Sequence, residues 1–198
     1  GAAAVRGPAA AETRGRGAGG GRPAALSHYG AVKVGSGLNA RVSWLDQGGA
    51  GVGLRPWTVY GVGRDFGMTS EPTKAIKAVA AGRPYRISYG GSQDLQYVGD
   101  VAGTFLRALE SPFEGADAFN VRGAVVTIES FVTLLREAAP ESARLISHGD
   151  RPLPTAFHLD DARPDPAPAP TPRTPLRDRI REPPPRFPPR PPRCRPPS

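Results

Sequence analysis

The sequence predicts an α/β protein whose folded part ends well before its C-terminus. Apolar segments with helical spacing alternate with short, strand-like apolar runs from residue 27 to residue 147. Seventeen of the 24 prolines lie between Pro152 and Pro197. The formal net charge of +8 comes from the ends, since residues 1–25 carry +3, residues 162–198 carry +6 and residues 26–161 carry −1. We therefore expect a low-complexity Gly/Ala/Arg flank over 1–25, a folded core over 26–161 and a disordered Pro/Arg-rich tail over 162–198.

The first half of the core predicts two helices and two strands. Apolar residues between 27 and 47 recur with helical spacing and are followed by two glycines, which end helices. The apolar run over 51–60 predicts a buried strand, and residues 85–89 predict the next one. Between these strands, Ser70 or Thr69 is expected to cap a helix of about ten residues.

The second half of the core continues the alternation of strands and helices. Short strands are predicted over 95–98, 118–121 and 144–147. Asp100 is expected to cap a helix after the first of them, and Thr127 a helix with one apolar face after the second. This order predicts layers of helices and strands rather than a helical bundle or a β-sandwich.

Tyr29 and Lys33 are the first candidates for chemistry. They are four residues apart on the first predicted helix, so their side chains project from one side of it, one turn apart. An ammonium group held near a phenol favours the phenolate, which lets the tyrosine exchange a proton near neutral pH. The spacing is equally compatible with a surface tyrosine and lysine that have no such role.

Composition excludes several other functions. Cys194 is the single cysteine and the three histidines lack acidic or cysteine neighbours at ligand spacing, so we expect neither disulfides nor a metal site. A core charge of −1 argues against a nucleic-acid partner. The absence of a long apolar run and of a signal peptide leads us to expect a cytoplasmic protein with no membrane partner.

Four segments, in order, resemble the extended short-chain dehydrogenase/reductase family, the NAD(P)-dependent epimerases and dehydratases. The segments are Tyr29-Gly-Ala-Val-Lys33, the run from Gly53 to Arg64 (GLRPWTVYGVGR), the run from Gly67 to Ile76 (GMTSEPTKAI) and the run from Asp94 to Ala102 (DLQYVGDVA). The resemblance extends over about residues 27–160. It implies part of a Rossmann-like parallel sheet, whose first half is missing, followed by a small C-terminal α/β substrate domain.

The resemblance also implies catalytic and cofactor-binding residues. Tyr29 would be the catalytic acid/base, and Lys33 would hold the nicotinamide ribose and favour the Tyr29 phenolate. Pro56 and Trp57 would contact the nicotinamide end of the cofactor. The cofactor would be NAD or NADP, with NAD favoured.

The implied substrate-binding residues are Thr58, Arg64 and Tyr97. Thr58 stands where many sugar-nucleotide enzymes of the family carry Asn, and Gln93 stands where many carry an Arg that holds a nucleotide phosphate. The resemblance therefore implies a small-molecule substrate with a sugar-like hydroxyl, either a sugar or a nucleotide sugar, while these two departures favour a substrate other than a nucleotide sugar. It also implies a homodimer.

The dinucleotide-binding half of such enzymes is not recognisable in the sequence. Gly15-Arg-Gly17-Ala-Gly-Gly20 matches G-x-G-x-x-G by letter, but no apolar strand precedes it and no periodic helix follows. The Ser or Thr expected about 25 residues before Tyr29 is replaced by Gly and Ala. The sequence thus reads as the C-terminal part of an NAD(P)-dependent epimerase, dehydratase or oxidoreductase. The alternative is a catalytically inactive binding or scaffold protein with a polyproline tail.

Overall fold

The computed structural model of the chain describes residues 3–4, 28–153 and 174–181. The strands are β1 (Ala3–Ala4), β2 (Gly51–Arg55), β3 (Thr58–Tyr60), β4 (Tyr85–Ile87), β5 (Ser92–Tyr97), β6 (Ala116–Asn120), β7 (Ala124–Thr127) and β8 (Ile146–His148). The helices are α1 (His28–Gln47), α2 (Glu71–Ala80), α3 (Val98–Glu110), α4 (Ile128–Ala138), α5 (Pro140–Ala143) and α6 (Leu176–Arg181). The alternation predicted from the sequence is confirmed, and the fold is α/β.

The described strands form three small, mostly parallel sheets. The first has the order β1-β2-β6 and is parallel throughout. In the second, of order β3-β5-β7, β3 and β5 are parallel while β5 and β7 are antiparallel. The third pairs β4 with β8 in parallel. The chain passes from the first sheet to the second twice, once between β2 and β3 and once between β6 and β7.

The apolar run over 51–60 is two strands rather than the predicted single one. It is interrupted at Pro56 and Trp57, and the two halves pair in different sheets. Proline has no N–H to donate to a ladder and fixes its own φ, so it favours a break between strands. The break is what carries the chain from β2 to β3.

Helix caps could be predicted where they are local. Thr127 precedes α4, and its hydroxyl accepts a 3.0 Å bond from the Ser130 amide, as expected. The prediction for Ser70 is confirmed for its position at the N-cap of α2 but not for a side-chain cap bond, and the prediction for Asp100 is wrong. Ser70 precedes α2, but its hydroxyl donates to the Gly67 carbonyl at 2.7 Å instead of capping the helix. Asp100 lies inside the first turn of α3, whose N-cap residue is Tyr97.

Four elements were not predicted, among them the short helix α5 (Pro140–Ala143). Ala3–Ala4 pairs in parallel with Gly53 and Leu54, which places β1 at the edge of the first sheet. The antiparallel strand β7 precedes α4 directly. Residues 174–181 of the tail contain α6, so the predicted disorder is wrong for this stretch, and Leu176 is only 6% exposed. Cys194 lies outside the described residues, and so does the Pro185-Arg-Phe-Pro-Pro-Arg190 segment of the polyproline tail, which has the P-x-x-P-x-R form that polyproline-binding grooves accept.

The buried apolar residues form two separate clusters. One cluster lies around β2, β6 and α3 and includes Leu54 and Phe119. The other lies among β4, β5, α4 and β8 and includes Ile87 and Phe131, and Leu176 of α6 packs into it. No helix in the described ranges is long and apolar enough to cross a membrane.

Helix α1 is the least covered element. Val32, Leu38, Val42 and Leu45 are 67%, 56%, 53% and 71% exposed, although all four are apolar. Leu38, Val42 and Leu45 follow i, i+4, i+7 spacing and therefore share one face. We call Leu38, Val42 and Leu45 the exposed face of α1, since Val32 projects from a different side of the helix.

Candidate functional site

The predicted catalytic pair lies at the start of α1. Tyr29 is in its first turn and Lys33 is one turn further on. The three residues that follow α1 turn the chain back along β2, and α1 packs against β2 and β6. The helix rises about 21 Å from Gln47 back to Lys33. The chain from Gly51 to Trp57 advances about 20 Å, and these matching lengths predict that Lys33 and Trp57 lie near the same edge of the first sheet.

That edge is the carboxyl end of β2, where α/β proteins bind their ligands. Pro56 is buried there and Trp57 is half-buried. The residues predicted for catalysis and for the cofactor, Tyr29, Lys33, Pro56 and Trp57, are therefore expected at one end of the first sheet. This placement fits a nicotinamide cofactor bound at the carboxyl edge.

Gln96 of β5 fixes both passages between the first two sheets. Its side-chain oxygen accepts a 3.0 Å bond from the Trp57 amide, and its side-chain nitrogen donates to the Val121 carbonyl. Gln96 is 2% exposed. A buried amide that is bonded at both ends holds the position of Trp57 relative to the second sheet.

Asp94 holds the second passage in the same way. Its Oδ1 atom accepts a 2.7 Å bond from the Gly123 amide, and the side chain is fully buried. Position 123 requires glycine, because a Cβ there would overlap the Leu95 carbonyl oxygen. We call Asp94, Gln96 and their bonds to Trp57, Val121 and Gly123 the β5 network.

Thr58 and Gln93 are brought into direct contact. The Thr58 hydroxyl donates a 3.0 Å bond to the side-chain oxygen of Gln93, and each residue is 1% exposed. These are the two positions at which the sequence departs from the sugar-nucleotide enzymes that it resembles. The two residues that differ from those enzymes, Thr58 and Gln93, therefore form one uncharged, buried pair.

Arg64 shapes the loop that follows β3. Its guanidinium donates to the Phe66 carbonyl and, at 3.1 Å, to the Thr69 hydroxyl. Nearby, Asp65 forms an ion pair with Lys77 of α2. The described contacts of Arg64 thus order the loop between β3 and α2.

Tyr97 faces the C-terminal segment. Its ring centroid lies 5.8 Å from that of Tyr60, and the guanidinium carbon of Arg179 lies 4.2 Å from the Tyr97 centroid. Arg179 also pairs with Asp100 at 3.1 Å. Of the predicted substrate residues, Thr58 is therefore joined to Gln93, while Tyr97 contacts α6.

A second polar cluster lies beside α2. The Glu71 carboxylate accepts from the Ser88 hydroxyl at 2.7 Å and from the Ser88 amide. Burial raises the pKa of the neighbouring Tyr89, Glu71 and Tyr85 raise it further, and Arg64 lowers it. The Tyr89 hydroxyl is buried and has no hydrogen-bond partner among the described residues. Burial, and secondarily Glu71, raises the pKa of Tyr85 as well.

Sequence reasoning missed the roles of Asp94 and Gln96. The signal was present, because three polar residues, Gln93, Asp94 and Gln96, interrupt a strand that is buried along its length. Buried polar side chains need partners, which makes such a strand a candidate junction. Within the described ranges, no three His, Cys, Asp or Glu residues gather closely enough to hold a metal ion.

Comparison with known proteins identifies one family. Residues 1–121 match the NAD dependent epimerase/dehydratase family. The match covers α1, the β2–β3 passage and β5, and it begins 26 residues before the N-terminal limit of the resemblance noted from the sequence. No curated protein shows a significant match to the chain.

Solved structures share the fold. UDP-glucuronic acid 4-epimerase from Bacillus cereus in complex with NAD has a TM-score of 0.68 and 19% identity, covering 91% of this chain and 57% of that one. UDP-N-acetylglucosamine 4-epimerase from Methanobrevibacter ruminantium M1 in complex with UDP-N-acetylmuramic acid has a TM-score of 0.66 and 19% identity, with coverages of 91% and 60%. A GalE-like L-threonine dehydrogenase from Cupriavidus necator has a TM-score of 0.67 and 15% identity, with coverages of 81% and 55%. The chain thus spans between 55% and 60% of the length of these structures.

Proposed function

Since this chain belongs to the NAD dependent epimerase/dehydratase family, we propose that Tyr29 and Lys33 are the catalytic pair of an NAD(P)-dependent enzyme acting on a sugar-like hydroxyl group. The proposal is supported by the matching lengths of α1 and of the chain along β2, which are expected to bring Lys33 and Trp57 to the carboxyl edge of the first sheet. In open parallel sheets this edge is where ligands bind.

The proposed roles follow from side-chain chemistry. The nicotinamide ring of the bound cofactor supplies the hydride acceptor. The Tyr29 phenolate oxygen takes the proton of the substrate hydroxyl, and the Lys33 ammonium stabilises that phenolate and donates to the ribose. Pro56 and Trp57 provide the apolar wall against which the ring is held, and the bond from the Trp57 amide to Gln96 fixes that wall. NAD is the favoured cofactor.

The substrate contacts proposed here are Thr58, Arg64 and Tyr97. Thr58 and Gln93 form an uncharged pair, so this part of the site favours a hydroxyl group over a phosphate. We propose a sugar-like substrate whose recognition at Thr58 does not depend on a phosphate.

Cofactor titration tests the proposal. Trp57 should report on the nicotinamide, and a Trp44→Phe background leaves it as the single tryptophan. Saturable quenching by NAD is expected, with weaker binding after Lys33→Met and unchanged binding after Lys74→Met, the matched lysine control on α2. No saturable response to NAD or NADP would contradict the enzymatic proposal for this chain and favour the binding-protein alternative.

We also propose that two copies associate through the exposed face of α1. An apolar stripe on a helix is stabilised when it packs against a second stripe. Sedimentation velocity should show a dimer that Leu38→Glu dissociates. Leu106→Glu, at a residue of α3 that is 61% exposed, is the control and should leave the dimer intact. If the unsubstituted protein sediments as a monomer, the proposed dimer is contradicted.

A further inference from the structure

A cavity of about 210 Å³ lies between the second sheet and the C-terminal segment. Its walls come from β3, β5, the start of α3, the β6–β7 passage and residues 174–176. The lining is mainly aromatic and aliphatic and includes Tyr60, Leu95, Tyr97, Val121 and Leu176, together with the carboxylate-bearing Asp100. Thr58 and Gln93 are not among the described residues that line it.

Residues Thr174–Arg181, which we call the strap, form one wall of this cavity. The strap is anchored at Asp100, whose Oδ1 accepts from the Arg179 guanidinium at 3.1 Å and from the Thr174 hydroxyl at 3.2 Å. The Asp100 Oδ2 accepts from the Thr174 amide at 3.2 Å. The Asp100 side chain is 12% exposed and that of Arg179 is 21% exposed. Charge-assisted bonds that converge on a largely buried carboxylate hold the strap in place.

A second, weaker attachment lies further along the strap. Arg177 pairs with Glu137 of α4 at 3.2 Å, but both side chains are well exposed. Exposed ion pairs contribute little, so Asp100 and the buried Leu176 are the attachments that matter. The Asp100–Arg179 and Glu137–Arg177 ion pairs can therefore be compared to test whether the strap depends on Asp100.

The size of the cavity indicates the size of its ligand. An apolar protein cavity of about 150 Å³ accepts benzene. The present cavity is larger, and therefore has room for one six-membered ring with a small substituent. The rings of Tyr60 and Tyr97, whose planes meet at 58°, offer edge and face contacts to such a ring.

The charges indicate the ligand's polarity. Asp100 is paired with Arg179, and Arg122 also lines the cavity. A cationic ligand would face Arg122 and compete with the strap for Asp100, and an anionic ligand would face the Asp100 carboxylate. A carboxylate has about four acceptor positions, and the three bonds from the strap leave one of them on Oδ2. A hydroxyl on the ligand can donate to that position.

We propose that this cavity binds a small uncharged compound with one six-membered ring and a hydroxyl group, which donates to Asp100 while the strap closes over it. Asp100 then serves both as the anchor of the strap and as the acceptor for the ligand. The cavity shares Tyr97 with the substrate contacts proposed above, but this proposal rests on the cavity lining and the strap and does not require the enzymatic function.

Phenol is the probe that tests this proposal. Saturation-transfer NMR and calorimetry on the full chain should show saturable binding with a Kd on the order of 1 mM, as a ligand of this size permits. Benzoate carries a negative charge and benzylamine a positive charge. Each should bind at least about tenfold more weakly than phenol. Absence of saturable phenol binding, or benzoate binding as tight as phenol, would overturn the proposal.

Paired variants locate the binding site. Ala124→Phe places a ring in the cavity and should abolish phenol binding, whereas Val125→Phe, at the neighbouring residue that is 39% exposed, should not. Asp100→Asn should weaken phenol binding about tenfold and expose the strap arginines to trypsin, whereas Glu137→Gln should change neither. If Ala124→Phe does not fold, the Asp100 and Glu137 variants decide the matter. Unchanged phenol binding by Asp100→Asn, or by a folded Ala124→Phe, overturns the proposal.

Discussion

Thr58 donates a 3.0 Å hydrogen bond to Gln93 across the second sheet, and both side chains are 1% exposed. Each of these residues replaces the side chain that many sugar-nucleotide enzymes carry at the matching position. Because the two replacements satisfy one another, neither residue leaves a buried polar group without a partner here. The pair behaves as one unit, and a change at either residue alone is expected to be costly.

A double-mutant cycle tests that unit. Thr58→Val keeps the shape of the side chain but leaves the Gln93 oxygen without its donor, which should lower the free energy of unfolding by about 1–3 kcal/mol. The double variant Thr58→Val/Gln93→Leu should lose less than the sum of the two single variants. Urea unfolding measures all three. Strict additivity would contradict the coupling.

Gln96→Leu tests the β5 network. The variant leaves the Trp57 amide and the Val121 carbonyl without their partner, so the free energy of unfolding should fall by about 2–5 kcal/mol. Gln47→Leu, at the exposed last residue of α1, is the matched control and should change it by less than about 0.5 kcal/mol. Equal effects of the two variants in urea unfolding would show that the network contributes little.

Two glycines should respond to alanine in opposite directions. Gly123→Ala forces a Cβ into the Leu95 carbonyl oxygen and should destabilise the protein by at least about 2 kcal/mol. Gly35→Ala lies inside α1 with open space around it and should stabilise the protein by about 0.5–1 kcal/mol. Thermal unfolding should therefore give Tm shifts of opposite sign. A stable Gly123→Ala variant would contradict the close approach of β5 to the β6–β7 passage.

The buried hydroxyl of Tyr89 should cost stability. It has no hydrogen-bond partner among the described residues, so Tyr89→Phe removes a polar group that is poorly accommodated. The free energy of unfolding should rise by about 1 kcal/mol. Tyr85→Phe, at a half-buried tyrosine of the same cluster, should change it by less than about 0.5 kcal/mol. Loss of stability in Tyr89→Phe would indicate that the hydroxyl has a partner.

The same tyrosine predicts a pH dependence. Its pKa in the folded protein is raised above the ordinary value of 10.0, chiefly by burial. The unfolded chain therefore loses this proton first, and stability that is complete below pH 10 should fall as the pH rises further. Urea unfolding between pH 8 and pH 11 should show this fall, and Tyr89→Phe should make it shallower. Identical slopes for the two proteins would exclude Tyr89 as a source.

The sequence was informative where the determinants of structure are local. Thr127 caps α4 through an amide three residues away. The capping residue and the spacing of the apolar residues after it were therefore enough to place that helix. The partner of Asp100 lies 74 residues further along the chain, and no local pattern distinguishes such an anchor from a helix cap. In the 51–60 run, Pro56 is a local signal for a break, but the placing of the two halves in different sheets depends on the distant pairing of β2 with β6 and of β3 with β5.

The candidate site was predictable in part for the same reason. The spacing of Tyr29 and Lys33 is local, and both residues lie in the first turns of α1, the helix predicted from the spacing of its apolar residues. The contact between Thr58 and Gln93 joins residues 35 positions apart and could not be derived from either segment alone. For α6, the apolar residues Leu176 and Ile180 are one turn apart, and this pair was the one signal of order within the tail.

The β5 network has a consequence for how the protein loses its structure. Both passages between the first two sheets end on side chains of a single strand, Asp94 and Gln96. Neither sheet can separate from the other while those bonds persist, and breaking them releases both passages together. The two sheets should therefore melt in a single cooperative step, with the amide protons on β2, β5 and β6 exchanging through an opening of one common free energy.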